Sequence, residues 1–219
     1  MFPCNGNALE ALDCLGSAFR CIGFVDDTPA KQGTEVAGLP VLGRGAFHDM
    51  PEAAVLAVPG GPASYLARRG IIEGLALPRE RFARVIHPAA RVSPLATLGS
   101  NLLLMAGVVV TSNARIGDHV CILPNTVVHH DVAIGDRCLI GSNVTVAGGV
   151  VLGENCYVGS GTSIMHAISV GAGALIGIGS NVIRDVAPAA RVAGNPARTL
   201  QPKDTNRTDR SWTSTAQAF

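Results

Sequence analysis

From Val92 onward every sixth residue is a branched aliphatic: Val92, Leu98, Leu104, Val110, Ile116, Ile122, Val128, Ile134, Ile140, Val146, Leu152, Val158, Ile164, Val170, Ile176 and Val182. An α-helix repeats near 3.6 residues and a half-buried strand every second residue, so neither accounts for a period of six. Two places before the aliphatic the residue is usually small or β-branched, as at Ala96, Ala114, Thr126, Val144, Thr162 and Ala174. That spacing puts both side chains on one face of a short strand. The place after it is often glycine (Gly99, Gly117, Gly135, Gly141, Gly153, Gly159, Gly171, Gly177), expected to supply the open backbone of a sharp turn. Three such units close a triangular coil of 18 residues, with Cys138 and Cys156 stacked one coil apart in its core. Coils stacked about 4.8 Å apart fill the prism with one aliphatic ladder, each burying its neighbour's apolar face.

The bulk composition agrees. Hydrophobic residues make up 47% of the 219 and charged ones 15%, so a core is expected, while aromatics are only 4%. The core is therefore built from small and branched side chains rather than large rings. A formal net charge of +1 offers no basic surface for nucleic acid. No stretch approaches the ~20 apolar residues of a membrane span, and the start carries no secretory signal pattern. Cys4, Cys14, Cys21, Cys121, Cys138 and Cys156 form no CxxC pair, which fits reduced thiols in the cytoplasm.

Residues 1–88 do not keep the six-residue count. Ala8 to Ala18 and Ala63 to Leu75 read as helices. Arg20 to Val25, Leu39 to Gly43, Ala53 to Val58 and Phe82 to Ile86 read as extended segments, and Met1 to Cys4 as a short first strand. Alternating strands and helices imply a small α/β, Rossmann-like region with a parallel sheet. Ligands of such sheets sit beyond the carboxyl ends of the strands. The candidate loops there are Asn5-Gly6-Asn7, Asp26-Asp27 and Gly60-Gly61. No GxGxxG is present, which speaks against nicotinamide. The chain thus divides into an α/β region at 1–88, a β-helix at 89–200 and a flexible polar tail at 201–219.

Phe24-Val25-Asp26-Asp27, Ile86-His87-Pro88-Ala89-Ala90-Arg91-Val92, Val127-Val128-His129-His130-Asp131-Val132-Ala133-Ile134-Gly135, Ala147 to Gly153 and Ala193-Gly194-Asn195-Pro196-Ala197-Arg198 carry a family resemblance. Over about residues 1–200 the chain resembles the NeuD/PglD-like sugar O-/N-acyltransferases. The resemblance implies a left-handed coil, a homotrimer, acetyl-CoA between neighbouring β-helices, and a nucleotide-linked sugar bound through Asn5, Gly6, Asn7, Asp26, Asp27 and Gly60. Two places depart from the family pattern. The glycine-rich opening reads Asn5-Gly6-Asn7, and a second histidine found near the acetyl group in some members is Leu139 here.

Transfer from a thioester needs a base for the acceptor's proton, a task that suits imidazole near neutral pH. His130 lies two places past Val128, in a turn, with Asp131 beside it to orient the ring. The resemblance assigns the same two residues as base and supporting acid. It also implies donor contacts at Ser160, Gly177, Ile178 and Arg198, while Gly148 and Gly149, one coil past His130, leave room for a pantetheine arm. His129 is left incidental or substrate-lining. His166 repeats the place of His130 two coils later, about 10 Å along the axis, and is expected to touch the donor arm or a neighbouring chain.

The expected activity is therefore acetyl-CoA-dependent acetylation of a sugar amine or hydroxyl in surface-glycan synthesis, without a metal. The alternatives are a β-helix protein like γ-carbonic anhydrase, a non-catalytic β-helix, and an acetyltransferase for a non-sugar molecule.

Overall fold

The structure is a computed structural model that describes residues 1–200, and the tail expected at 201–219 lies outside the described residues. From Arg84 to Ala193 the chain is a left-handed parallel β-helix. Its first face stacks strands at Arg84–Ile86, Leu102–Leu104, Cys121–Ile122, Leu139–Ile140, Tyr157–Val158, Leu175–Ile176 and Arg191–Ala193. The second face runs from Arg91–Val92 through Val127–Val128 to Asn181–Val182, and the third from Thr97–Leu98 through Ala133–Ile134 to Ser169–Val170. Paired residues differ by 18, as Val128 with Val146 and Ile134 with Leu152.

The aliphatic ladder is the core. Of the sixteen periodic positions, those from Leu104 to Val182 are buried in one cluster, and Val92 and Leu98 pack against its end. Each fully buried aliphatic side chain contributes about 2 kcal/mol of transfer free energy. The register starts one unit earlier than the sequence reading, since Ile86 also packs on this cluster.

The glycines after the ladder positions serve a different purpose from the expected one. The left-handed backbone falls two residues later, at Asn113, His119, Asn125, Asp131, Arg137, Asn143, Gly149, Asn155 and Gly161 among others. Asn, Asp and Gly tolerate that conformation best. What Gly135 provides is close approach: a Cβ there would lie 2.6 Å from the Glu154 amide of the next coil. Backbone contact between coils, not turn geometry, excludes the side chain.

The N-terminal region extends the first face. Four labels suffice for its regular strands: β1 (Phe24–Val25), β2 (Glu35–Val36), β3 (Leu39–Leu42) and β4 (Arg84–Ile86). β1 pairs parallel with β3, and β2 pairs antiparallel with β3, so the sheet is mixed rather than parallel throughout. Backbone bonds then run from Val25 N–H to Met1 (2.8 Å), from Phe2 to Leu56 (2.9 Å), from Val55 to Arg81 (2.7 Å) and from Ala83 to Val55 (2.9 Å). β4 closes the series by pairing with Leu102–Leu104 of the prism. One hydrogen-bonded surface thus crosses from the small sheet into the β-helix, and the short Met1–Cys4 segment sits at its centre.

The helices are shorter than the periodicity suggested: α1 (Gly6–Glu10) passes into a 3-10 turn ending at Cys14, α2 spans Ala46–Asp49 and α3 spans Arg68–Glu73. Residues at the first face's outer surface (Leu103, Cys121, Leu139, Leu175) share a buried cluster with Ala8, Phe24, Leu56 and Tyr65. The N-terminal region therefore covers the first face and leaves the edge between the second and third faces free.

Candidate active site

That free edge differs in sequence from the other two. The place after each ladder residue is glycine along the whole third-to-first edge (Gly99, Gly117, Gly135, Gly153, Gly171) and along the last three coils of the first-to-second edge (Gly141, Gly159, Gly177). Along the second-to-third edge it is Thr111, His129, Ala147, Met165 and Ile183. One place further on, the same edge carries Ser112, His130, Gly148, His166 and Arg184. This is where the sequence becomes chemically distinct.

His130 and Asp131 form a bonded pair there. Imidazole Nδ1 lies 2.8 Å from Asp131 Oδ2, and both side chains are more than half exposed. Asp131 adopts the left-handed turn conformation (φ 60°), which turns its carboxylate back toward the preceding ring. Its other oxygen accepts from Asn113 Nδ2 of the previous coil at 3.1 Å. The bonds from His130 and then Asn113 hold the Asp131 carboxyl below its ordinary pKa of 3.8. An ionised carboxylate at Nδ1 fixes the tautomer in which Nε2 is free to take a proton.

Gly148 makes room for that ring. A Cβ on Gly148 would stand 2.6 Å from both Cε1 and Nε2 of His130. The glycine therefore serves the imidazole before any ligand, while Gly149 (φ 70°) supplies the turn. A second feature concerns amides. Three amides two places past the ladder residue donate along the prism to a side chain of the next coil: Ser100 to Asp118 Oδ1 (2.7 Å), Asp118 to Asp136 Oδ1 (2.8 Å) and Ser142 to Ser160 Oγ (3.1 Å). The Gly148 N–H meets no acceptor among the described residues, and the repeat geometry aims it along the edge toward residue 166. His129 is half-buried and its ring makes no hydrogen bond among the described residues.

The other expected donor residues stand elsewhere on the prism. Ser160, Gly177 and Ile178 lie on the first-to-second edge, one full face away from His130. Ile178 is 77% exposed, unusual for so large an aliphatic. Arg198 is exposed in the last strand, Arg198–Thr199, with Nη1 donating to Ala197 O.

The expected acceptor residues gather at the carboxyl end of the small sheet, where the strand order reverses about the Phe2 segment. Asn5 caps α1 by accepting from Ala8 N–H (2.9 Å) and donates Nδ2 to Val58 O (3.1 Å), tying the two loops together. Gly6 is exposed and Asn7 half-buried at the start of α1. Asp26 is not open to a ligand: it is buried and accepts from Cys4 N–H (3.0 Å), Thr28 N–H (2.9 Å) and Lys31 Nζ (2.9 Å). It braces the strand ends. Asp27 is half-exposed and held by Arg44 through two bonds of 2.7 and 2.8 Å. Gly60 (φ 94°) lies against Arg68, whose Cγ would be 2.8 Å from an added Cβ, so its first role is packing.

Burial raises the Asp26 carboxyl, but the bonds from Thr28 and Lys31 outweigh it and leave the pKa below its ordinary 3.8. A carboxyl depressed in the fold contributes stability above its unfolded pKa, and that contribution is lost as pH falls through the folded value. Acid unfolding should therefore draw on Asp26 below about pH 4. Asp26→Asn is expected to remove about 2 kcal/mol at neutral pH and to flatten the acid limb. Urea titrations across that range check both.

Two contributors escaped the sequence reading. Asn113 was detectable, since stacking by 18 puts it directly below Asp131. Arg68 was not, because its carbonyl partners come from three separate segments. Among the described residues no group of three His, Cys, Asp or Glu side chains is placed to hold a metal ion.

Comparison with known proteins agrees with the repeat fold. Residues 95–130, 113–148 and 131–166 match the family model for bacterial transferase hexapeptide (six repeats). PerB from Caulobacter crescentus, solved with CoA and GDP-perosamine, is 28% identical over 90% of this chain and 94% of that one, with a TM-score of 0.79. The acetyltransferase domain of PglB from Neisseria gonorrhoeae, solved with acetyl coenzyme A, is 26% identical over 90% and 95%, at 0.79. WeeI from Acinetobacter baumannii is 25% identical over 90% and 96%, at 0.80. A search of curated proteins gave no match. Fold and repeat define a hexapeptide-repeat transferase. Within that class the chain is similar to the NeuD/PglD-like sugar acetyltransferases.

Proposed function

We propose that the chain transfers an acetyl group from acetyl-CoA to an amine, or less often a hydroxyl, of a nucleotide-linked sugar in surface-glycan synthesis. The observation that carries this is the His130–Asp131 pair on a prism edge lined by an unpartnered Gly148 amide. The sugar complexes of PerB and the acetyl-CoA complex of the PglB domain support the choice of substrates.

The chemistry follows from the edge. The amine nitrogen attacks the thioester carbon, and His130 Nε2 takes its proton. The carbonyl electron pair moves to oxygen, where the Gly148 N–H can donate to it. Asp131 stabilises the imidazolium that forms. When the oxygen pair returns to re-form the carbonyl, the carbon–sulfur bond breaks, and the thiolate leaves with the electrons of that bond and takes up the proton from His130.

One protomer does not complete the site. The N-terminal region covers the first face, His130 stands on the edge opposite it, and Ser160 and Ile178 lie on another edge. A homotrimer with the donor between prisms brings the three groups together, and the exposed Ile178 fits such a contact. Division into an acceptor-binding region at 1–88 and a transferase region at 89–200 follows the same logic. The cytoplasm, which supplies both acetyl-CoA and nucleotide sugars, suits six unpaired cysteines. Among the described residues no helix is long and apolar enough to cross a membrane.

The test is a thiol-release assay with acetyl-CoA over UDP-, GDP-, dTDP- and CMP-linked amino sugars. Turnover with one nucleotide series supports the reading, and none with any acceptor contradicts it. In the active series, Gly148→Ala should push the His130 ring off Asp131 and lower kcat about tenfold to a hundredfold. Its melting curve should match the parent, because the backbone at 148 is not left-handed.

A further inference from the structure

We propose that His166 is a second hydrogen-bond donor to the acyl carbonyl oxygen, facing His130 across the gap that Gly148 leaves; this rests on the acyl-transfer reading above. His130, Gly148 and His166 occupy one repeat position in three successive coils. The two histidine Cα atoms are therefore about 10 Å apart along the axis. The His130 ring fills the lower part of that interval, with Cε1 and Nε2 each 2.6 Å from the place of a Gly148 Cβ. Further along the same edge stand the Gly148 amide, the exposed Met165 and the exposed His166.

Nothing in the fold employs the His166 imidazole. It is exposed and makes no hydrogen bond or ion pair among the described residues. The Gly148 N–H is likewise unpartnered, and the three amides that do find acceptors at this repeat position all bond to the side chain one coil further on. For Gly148 that side chain is His166. Two unpartnered donors from successive coils thus stand on one edge next to a base.

A thioester oxygen gains negative charge as the amine attacks, and an oxygen in that state accepts more than one hydrogen bond. The main-chain donor alone satisfies one. A neutral imidazole always carries one N–H and supplies the second without changing its charge. No covalent bond to His166 forms, and the proton removed from the amine goes to His130.

Two measurements test this. With acetyl-CoA and the active acceptor, His166→Ala should lower kcat about a hundredfold, the loss typical of one oxyanion donor. The KM of the acceptor should stay unchanged, and His166→Gln, whose amide still donates, should recover part of the rate. Unchanged kcat, or a loss confined to the KM of acetyl-CoA, would overturn the proposal. The second is the imidazole NMR signal of the full chain labelled at histidine nitrogens. The His166 signal should move with acetyl-CoA but not with CoA, which lacks the carbonyl. An identical response to both ligands assigns His166 to the donor arm and overturns the proposal. If neither His166 nor His130 responds to acetyl-CoA, the acyl-transfer reading fails, and this proposal with it.

Discussion

His130→Ala should lower thiol release from acetyl-CoA about a thousandfold, within the range a positioned general base provides. The melting curve should barely move, because the ring is 65% exposed and bonds only to Asp131, itself on the surface. The separation of the two effects is the informative part. A core histidine would take stability with it, whereas this one is held by a turn that the ladder already stabilises. Activity retained in His130→Ala would remove the residue from the mechanism, whatever the remaining rate assigns to the rest of the edge.

Arg68→Ala should destabilise the protein by about 4 kcal/mol, combining a cavity with carbonyl oxygens left unpaired. Arg68 begins α3 and is 1% exposed. Its guanidinium donates to Arg137 O (3.0 Å), to His119 O (2.7 Å) and to Pro59 O, with no carboxylate among its hydrogen-bond partners. Burial pushes its pKa below the ordinary guanidinium range. The flat fork reaches three carbonyls from two prism coils and one loop, which a lysine ammonium does not reproduce, so Arg68→Lys should recover little. The same loop is held to the prism by Tyr65 OH donating to Gly173 O at 2.9 Å. Urea unfolding followed by circular dichroism measures the loss, and a change under 1 kcal/mol would contradict the assigned role.

The prism was legible in the sequence because its core is one-dimensional: each ladder residue meets its own kind 18 places away, so the contact map is written as a period. His130 and Asp131 were legible for the same reason, as a departure from the repeat at a turn. What the repeat does not encode was misread. The glycines at Gly135 and its equivalents answer to backbone contact between coils, a distance no period reveals. Asp26 reads as an open ligand group on a strand end, yet Cys4, Thr28 and Lys31 enclose it. In the N-terminal region the elements contract, and Ala53 to Val58 pairs only through isolated bridges at Val55 and Ala57. There, tertiary contacts with the first face replace local hydrogen bonding, and no local pattern announces them.

The central claim is that acyl transfer takes place at the imidazole on the edge between the second and third faces. A crystal structure of the protein with CoA bound tests it most directly through one distance, from the CoA sulfur to His130 Nε2. The account predicts about 5 Å or less, close enough for the ring to return its proton to the leaving thiolate. A well-ordered CoA with its sulfur beside another edge or over a flat face, beyond reach of His130 from any subunit, would contradict it.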